Sequence, residues 1–176
     1  MAVAVDIVAQ DGWERLNADA LAARAGAGKA GIYRRWPSMA ALMADVLSQL
    51  VLVDPDEDTG TLHGDLTAVL QPWTRPLSAA EEAAASLVGP CHHDPDLHEA
   101  LHRAVVAPLA ARLHHLAVRH RVPADQEVLL VLVVQALWWE RYRTAQPPLT
   151  EAAVQQLADD VLLPLARPTL LPTDLP

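Results

Sequence analysis

The chain has little of what holds disulfide-rich or strand-built proteins together. One cysteine, Cys91, among 176 residues excludes an intrachain disulfide. Strand-like alternation of β-branched and polar residues is missing, which excludes a sheet as the organising element. Aromatic residues are scarce: there is no phenylalanine, there are two tyrosines, and five tryptophans stand out against that background. Positive charge is short too, with 13 Lys and Arg against 22 Asp and Glu, a net charge of −9. A chain so acidic cannot bind nucleic acid over its whole surface. No apolar run reaches the roughly 20 residues that span a bilayer. The N-terminus has no basic region before an apolar one, and Asp6 interrupts the opening helix, so the expectation is a cytoplasmic protein without membrane association.

What is present is apolar, helical and unevenly charged. Apolar residues make up 52% of the chain, enough for a sizeable core, and 14 prolines punctuate it. Residues 1–50 hold five basic and five acidic groups, which leaves eight basic against seventeen acidic in residues 51–176. Within the first part, Gly12 to Pro37 carries Arg15, Arg24, Lys29, Arg34 and Arg35 against only Glu14 and Asp19. That local excess marks one small module for contact with phosphates and assigns the acidic remainder another task.

The same stretch reads as a helix-turn-helix. Asn17 can cap a short helix whose apolar side is Ala18, Leu21, Ala22 and Ala25. Gly26 ends it, since glycine takes the left-handed conformation of a sharp turn without a Cβ penalty. A second helix restarts at about Lys29. Ile32 and Trp36, four apart, are expected to dock on the first helix, leaving Lys29, Ala30, Gly31, Tyr33, Arg34 and Arg35 to point elsewhere. Arg and Lys neutralise phosphates or read guanine edges, a Tyr hydroxyl reaches a phosphate, and two small residues let the helix backbone approach the bases. With Asn17 these six form the candidate DNA-binding set. A plain helical hairpin is the competing reading, but it has no need of Tyr, Arg and Arg on an outer face.

At these residues the chain resembles the tetracycline-repressor (TetR) family of transcriptional regulators. The elements that carry the likeness are Gly12-Trp13 closing a first helix, Leu21-Ala22-Ala23-Arg24-Ala25-Gly26-Ala27-Gly28 through the turn, Lys29, Gly31-Ile32-Tyr33-Arg34-Arg35-Trp36 as recognition helix, and Pro37-Ser38-Met39 starting a fourth. Roughly the first 45 residues are covered. Gly28 stands where the family places a capping Ser, Gly31 where a Thr touches DNA, and Met39 where a Lys binds phosphate, so fewer phosphate contacts are expected than is usual. The resemblance also implies a longer first helix, preceded by a basic arm, than the residues ahead of Gly12 supply.

The expected fold is all-α with about nine helices: a helix-turn-helix DNA-binding domain over residues 1–45 and a helical effector-binding and dimerisation domain over 46–176. Ser38 should cap the joining fourth helix, running to about Val53. After the acidic loop Asp54 to Gly60, helices are expected near 61–75, 78–89 and 95–120, the last bent at Pro108. Pro123 opens another, ending before Pro147-Pro148, and Thr150 caps one reaching about Ala166. The stretch Val128 to Trp139 is apolar on nearly every face and needs more cover than a protomer this size provides. A partner subunit is inferred, and the resemblance implies a homodimer through helices 124–145 and 150–166. Two recognition helices about 34–36 Å apart would then match a palindromic operator in double-stranded DNA.

The resemblance further implies a small-molecule effector whose binding releases the operator, and no cofactor. Trp73, Leu87, Cys91, Trp138, Trp139 and Tyr142 form the candidate ligand-binding set, with core packing as the alternative role for each. Arg141 and Arg143 could select an anionic effector or could lie exposed on a polar face. One motif points to another class. His98-Glu99-Ala100-Leu101-His102 spells the zinc-hydrolase pattern H-E-x-x-H, yet Arg103 follows directly and no third ligand stands at the usual spacing. An adventitious or regulatory metal site using Cys91, His92, His93, His98 or His102 is the other metal reading, with a solvated helix face as the alternative to both. The expectation is a regulator with no catalytic and no metal residues.

Overall fold

The structure, a computed structural model, describes residues 1–144 and 148–167. Among them all regular structure is helical. The helices are α1 (Ala2–Asp11), α2 (Ala18–Ala25), α3 (Lys29–Arg35), α4 (Met39–Leu47), α5 (Leu62–Leu70), α6 (Ala79–Ser86), α7 (Pro95–Leu101), α8 (Ala107–His120), α9 (Ala124–Thr144), α10 (Glu151–Leu157) and α11 (Leu163–Leu165). Two π-turns, His102–Val106 and Ala158–Leu162, run α7 into α8 and α10 into α11, so the described residues form nine continuous helices. No helix among them is long and apolar enough to cross a membrane.

Helix starts obey capping residues visible in the sequence. The Asn17 side chain accepts from the Ala20 N–H, Ser38 from Ala41, Thr61 from Gly64 and Thr150 from Ala153, all at 2.9–3.1 Å. Each such bond satisfies a backbone donor that would otherwise lack a partner, worth about 1 kcal/mol. At α6 the cap is reciprocal: Ser78 Oγ accepts from the Glu81 N–H while Glu81 accepts from the Ser78 N–H.

Helix ends depart from expectation in two places. The fourth helix stops at Leu47 instead of Val53. There the Ser48 hydroxyl donates to the Asp45 carbonyl, Gln49 and Leu50 tighten into three-residue turns, and Pro55 disfavours helix at Asp54. The interruption expected at Pro108 takes the form of a π-turn. A proline ring crowds the carbonyl four residues back and offers no N–H. Here the N–H of the preceding residue, Ala107, reaches back five residues to His102 instead of four. The second π-turn stands in the same relation to Pro164, with Leu163 donating to Ala158. The helix end expected before Pro147 falls on residues 145–147, outside the described residues.

The chain divides into two compact units. The first comprises Met1–Val53, Leu77–Pro108 and the described residues from Trp139 to Thr144. In it α1 packs on α6, α2 on α3 and α4 on α7. Its core includes Ile7 and Val8 of α1, Met43 and Leu47 of α4, and Leu97 and Leu101 of α7, each at most 2% exposed. The Ser86 hydroxyl donates to the Val8 carbonyl at 3.2 Å and fixes the register of α6 on α1.

The second unit comprises Asp54–Pro76, Leu109–Trp138 and the described residues after Pro147. Leu66 and Leu70 of α5, Leu113 and Leu116 of α8, Leu130, Val134 and Trp138 of α9, and Val154 and Leu162 are fully enclosed there. Trp73 meets Trp138 edge to face, with ring centroids 5.1 Å apart. The buried Asp65 carboxylate ties the loop to the helices: it accepts from the Thr59 N–H and hydroxyl, from Arg119 Nη1 at 2.5 Å, and lies 2.7 Å from His120 Nε2. Burial alone would push its pKa up, but these hydrogen bonds outweigh it and hold the carboxyl well below the ordinary carboxylate range. Within this unit α9 buries one face and leaves Val128, Leu129 and Leu132 45–59% exposed on the other.

Candidate nucleic-acid interface

Two short helices and one turn make the outward surface of α3. Gly26 sits at φ +62°, and the N–H groups of Gly26 and Ala27 both close on the Ala22 carbonyl, so α2 ends abruptly as expected. Gly28 then occupies the N-cap of α3 without a side chain, and its carbonyl takes the Gly31 and Ile32 N–H groups. Ile32 points inward and is 5% exposed. Lys29, Ala30, Gly31, Tyr33, Arg34 and Arg35 are all exposed.

Trp36, expected to dock on α2, is hydrogen-bonded to α4. The helix stops at Arg35, Trp36 is extended at φ −129°, and its indole N–H donates to Asp45 Oδ2 of α4 at 2.9 Å. Arg35 follows it: the guanidinium carbon lies 4.5 Å from the Trp36 ring centroid and Nη2 lies 3.6 Å from the same Asp45 oxygen. Asp45 therefore clamps the end of α3 to α4. Nothing near α3 in sequence announces it, because the contact arises only when the two helices pack.

The basic residues differ in how committed they are. Lys29 pairs with Asp19 of α2, whose carboxylate accepts a hydrogen bond from the ammonium and pushes its pKa up. Arg24 pairs with Asp11 of α1 at 2.6 Å. Arg34 and Tyr33 have neither hydrogen bond nor ion pair among the described residues, and Tyr33 is 56% exposed. Asn17 is exposed, but its amide oxygen caps α2 and its Nδ2 donates to the Arg15 carbonyl. A Cβ built on Gly31 would meet nothing within 4 Å. The glycine is not demanded by internal packing, and it leaves the α3 backbone open to an outside surface.

The candidate ligand residues divide between the two units. Trp73 and Trp138 are core of the second unit, 8% and 1% exposed. In the first unit Leu87 and Tyr142 are buried, while Trp139 and Cys91 keep partial exposure, and Trp139 meets Tyr142 edge to face at 6.1 Å. Burial pushes the Cys91 thiol up. Arg141 is 8% exposed and pairs at 2.6 Å with Glu81, itself 2% exposed, so this arginine does not lie exposed on a polar face. Arg143 is exposed and held by Glu140 at 2.8 Å.

The H-E-x-x-H segment lies across the end of α7, with His98, Glu99 and His102 exposed and Glu99 engaged by Arg103 at 3.5 Å. Among the described residues no group of three His, Cys, Asp or Glu side chains converges as a metal site. Open clefts lie between the end of α4 and Ala100, Arg103 and Pro108, beside Trp13 and His93, and beneath the acidic loop at Arg112. None of these three is lined by the six candidate ligand residues.

Known proteins match both parts of the chain. The family profile "Bacterial regulatory proteins, tetR family" matches residues 1–46, and "Tetracyclin repressor-like, C-terminal domain" matches residues 56–161. A "DNA-binding transcriptional repressor TetR" of Mycobacteroides abscessus is 33% identical over 175 residues, covering 96% of this chain and 92% of the relative. Uncharacterized HTH-type transcriptional regulators of Mycobacterium bovis and Mycobacterium tuberculosis are 29% identical over 172 residues, covering 93% of this chain and 84% of theirs.

Proposed function

The chain belongs to the TetR family of transcriptional regulators, and from that premise we propose that it is a repressor that binds a palindromic operator as a homodimer through α3 and is released by a small-molecule effector. Family identity implies a regulator rather than an enzyme. The observation that carries the DNA reading is the outer face of α3, where Tyr33 and Arg34 are exposed and uncommitted beside the open backbone of Ala30 and Gly31. Lys29 and Arg35 flank them, each already oriented by a carboxylate of a neighbouring helix. Asn17 contributes by fixing the start of α2.

The division of labour follows: residues 1–45 read DNA, and residues 46–176 bind effector and dimerise. Val128, Leu129 and Leu132 give α9 an exposed apolar face of the kind a second copy would cover, with the helix over 151–165 as its companion in a four-helix interface. The name of the M. abscessus relative supports repression over activation.

The test begins with selection of binding sites from random duplex DNA using the full chain. Recovered sites should show two inverted half-sites about one helical turn apart, as a symmetric dimer requires. Tyr33→Ala should then weaken binding to the selected site at least about tenfold, the worth of roughly one lost contact, with an unchanged melting temperature. Equal affinity of wild type and variant would remove α3 as the reading element.

A further inference from the structure

We propose that the cleft under the acidic loop is an effector site for an amino-acid-type zwitterion, its carboxylate held by the Arg112 guanidinium and its ammonium by Asp54 and Glu57. This rests on the effector reading above and gives it a place and a chemical class.

Arg112 of α8 is 5% exposed overall, and what it exposes borders a cleft. Among the described residues it makes one hydrogen bond, from Nη1 to the Asp54 carbonyl at a long 3.3 Å, and no ion pair. A guanidinium carries five N–H donors in a fixed fork, and the nitrogens of Arg112 that lack a protein partner are not sealed from solvent, which leaves them able to donate to a bound anion. Desolvation depresses its pKa, only partly offset by the nearby carboxylates. What the side chain borders is a cleft of about 670 Å³, walled by Thr67 and Gln71 of the α5 segment and roofed by Asp54, Asp56 and Glu57. The fork opens on space of ligand size.

The roof decides the class. A plain anion entering toward Arg112 would pass three carboxylates. Asp56 is already neutralised by Arg119 at 2.5 Å, but Asp54 and Glu57 have no ion pair among the described residues. A molecule with a carboxylate at one end and an ammonium at the other satisfies both layers at once. Arg119 also holds Asp58 and Asp65, so the loop that forms the roof is itself braced rather than free-standing. The sequence singled out this loop only as an acidic linker, since the cation beneath it lies more than fifty positions away.

The experiment uses the full chain without DNA, so its failure is distinct from a failure of the operator reading. Melting temperature is followed against the standard amino acids, 4-aminobutanoate and 6-aminohexanoate, with hexanoate and hexylamine as controls lacking one charge each. At least one zwitterion should raise the melting temperature by about 3 °C or more at ten times its Kd, with both controls weaker. That shift should vanish in Arg112→Met and shrink in Asp54→Asn and Glu57→Gln. Arg112→Met without ligand should melt somewhat lower than wild type, since Asp54, Asp56, Glu57 and Asp65 lose a neighbouring cation, so the variant is read only through its ligand-induced shift. Should that variant not fold, Arg112→Lys keeps the charge but not the fork and should lose most of the shift. The proposal is overturned if no zwitterion shifts the wild type, if hexanoate or hexylamine shifts it equally, or if the Arg112 variants keep the full response.

Discussion

Arg34→Ala isolates the electrostatic share of operator binding. Arg34 is exposed and makes no bond within the fold, so its removal should leave the melting temperature unchanged. Surface substitutions of this kind stay within about 0.5 kcal/mol. On DNA each phosphate contact contributes about 0.9 to the slope of log affinity against log salt, and a dimer would lose two contacts, about 1.8 in slope. Raising salt from about 50 to about 200 mM should then cost wild type about twelve times more affinity than the variant. Fluorescence anisotropy on a selected operator at several salt concentrations measures both slopes. If the two lines are parallel, Arg34 touches no phosphate, and the outward reading of α3 is wrong at the residue where it is cleanest. Lys29 cannot serve this purpose, because its pairing with Asp19 mixes an internal ion pair into the slope.

Asp45→Ala should lower stability by about 1–2 kcal/mol through loss of the Trp36 hydrogen bond, and should weaken operator binding though Asp45 is not a DNA-contacting group; unchanged affinity would mean that the end of α3 needs no clamp. Leu132→Glu should shift the chain toward monomer in analytical ultracentrifugation, and a dimer of undiminished affinity would clear α9 of the interface role. The Asp65 carboxyl, depressed in the folded chain, stabilises above its unfolded pKa of about 3.9 and loses that contribution as pH falls below it. Acid melting curves of Asp65→Asn should therefore begin lower at neutral pH and fall less steeply below about pH 4 than those of wild type; identical acid limbs would count against the network.

Much of the fold was legible because its signals are local. Asn17, Gly26, Ser38 and Thr150 each bond within five residues, so residue type and spacing suffice to place them. The early stop of α4 was hidden because three-residue turns at Gln49 and Leu50 compete closely with continued helix over an apolar run. The bond from Trp36 to Asp45 was hidden for another reason: it joins the end of α3 to α4, a pairing that the spacing of Ile32 and Trp36 does not announce. Arg141, paired with Glu81 sixty positions away, and Arg112 beneath the loop depend on partners no window contains. For the candidate site, the outward residues of α3 could be named from sequence; the carboxylates that orient two of them could not.

The π-turns ahead of Pro108 and Pro164 have a consequence for how such chains diverge. A π-turn is one surplus residue absorbed into a helix, and without it everything downstream rotates by about 100°. Downstream of Pro108 the phase of α8 sets one enclosed side, with Leu109, Leu113 and Leu116, and places Arg112 against the Asp54 carbonyl. Proline and surplus residue are thus a matched pair. A descendant that loses Pro108 keeps the phase of α8 only by retaining the widened turn or by deleting one residue of it, so substitution at Pro108 and a single deletion here should occur together.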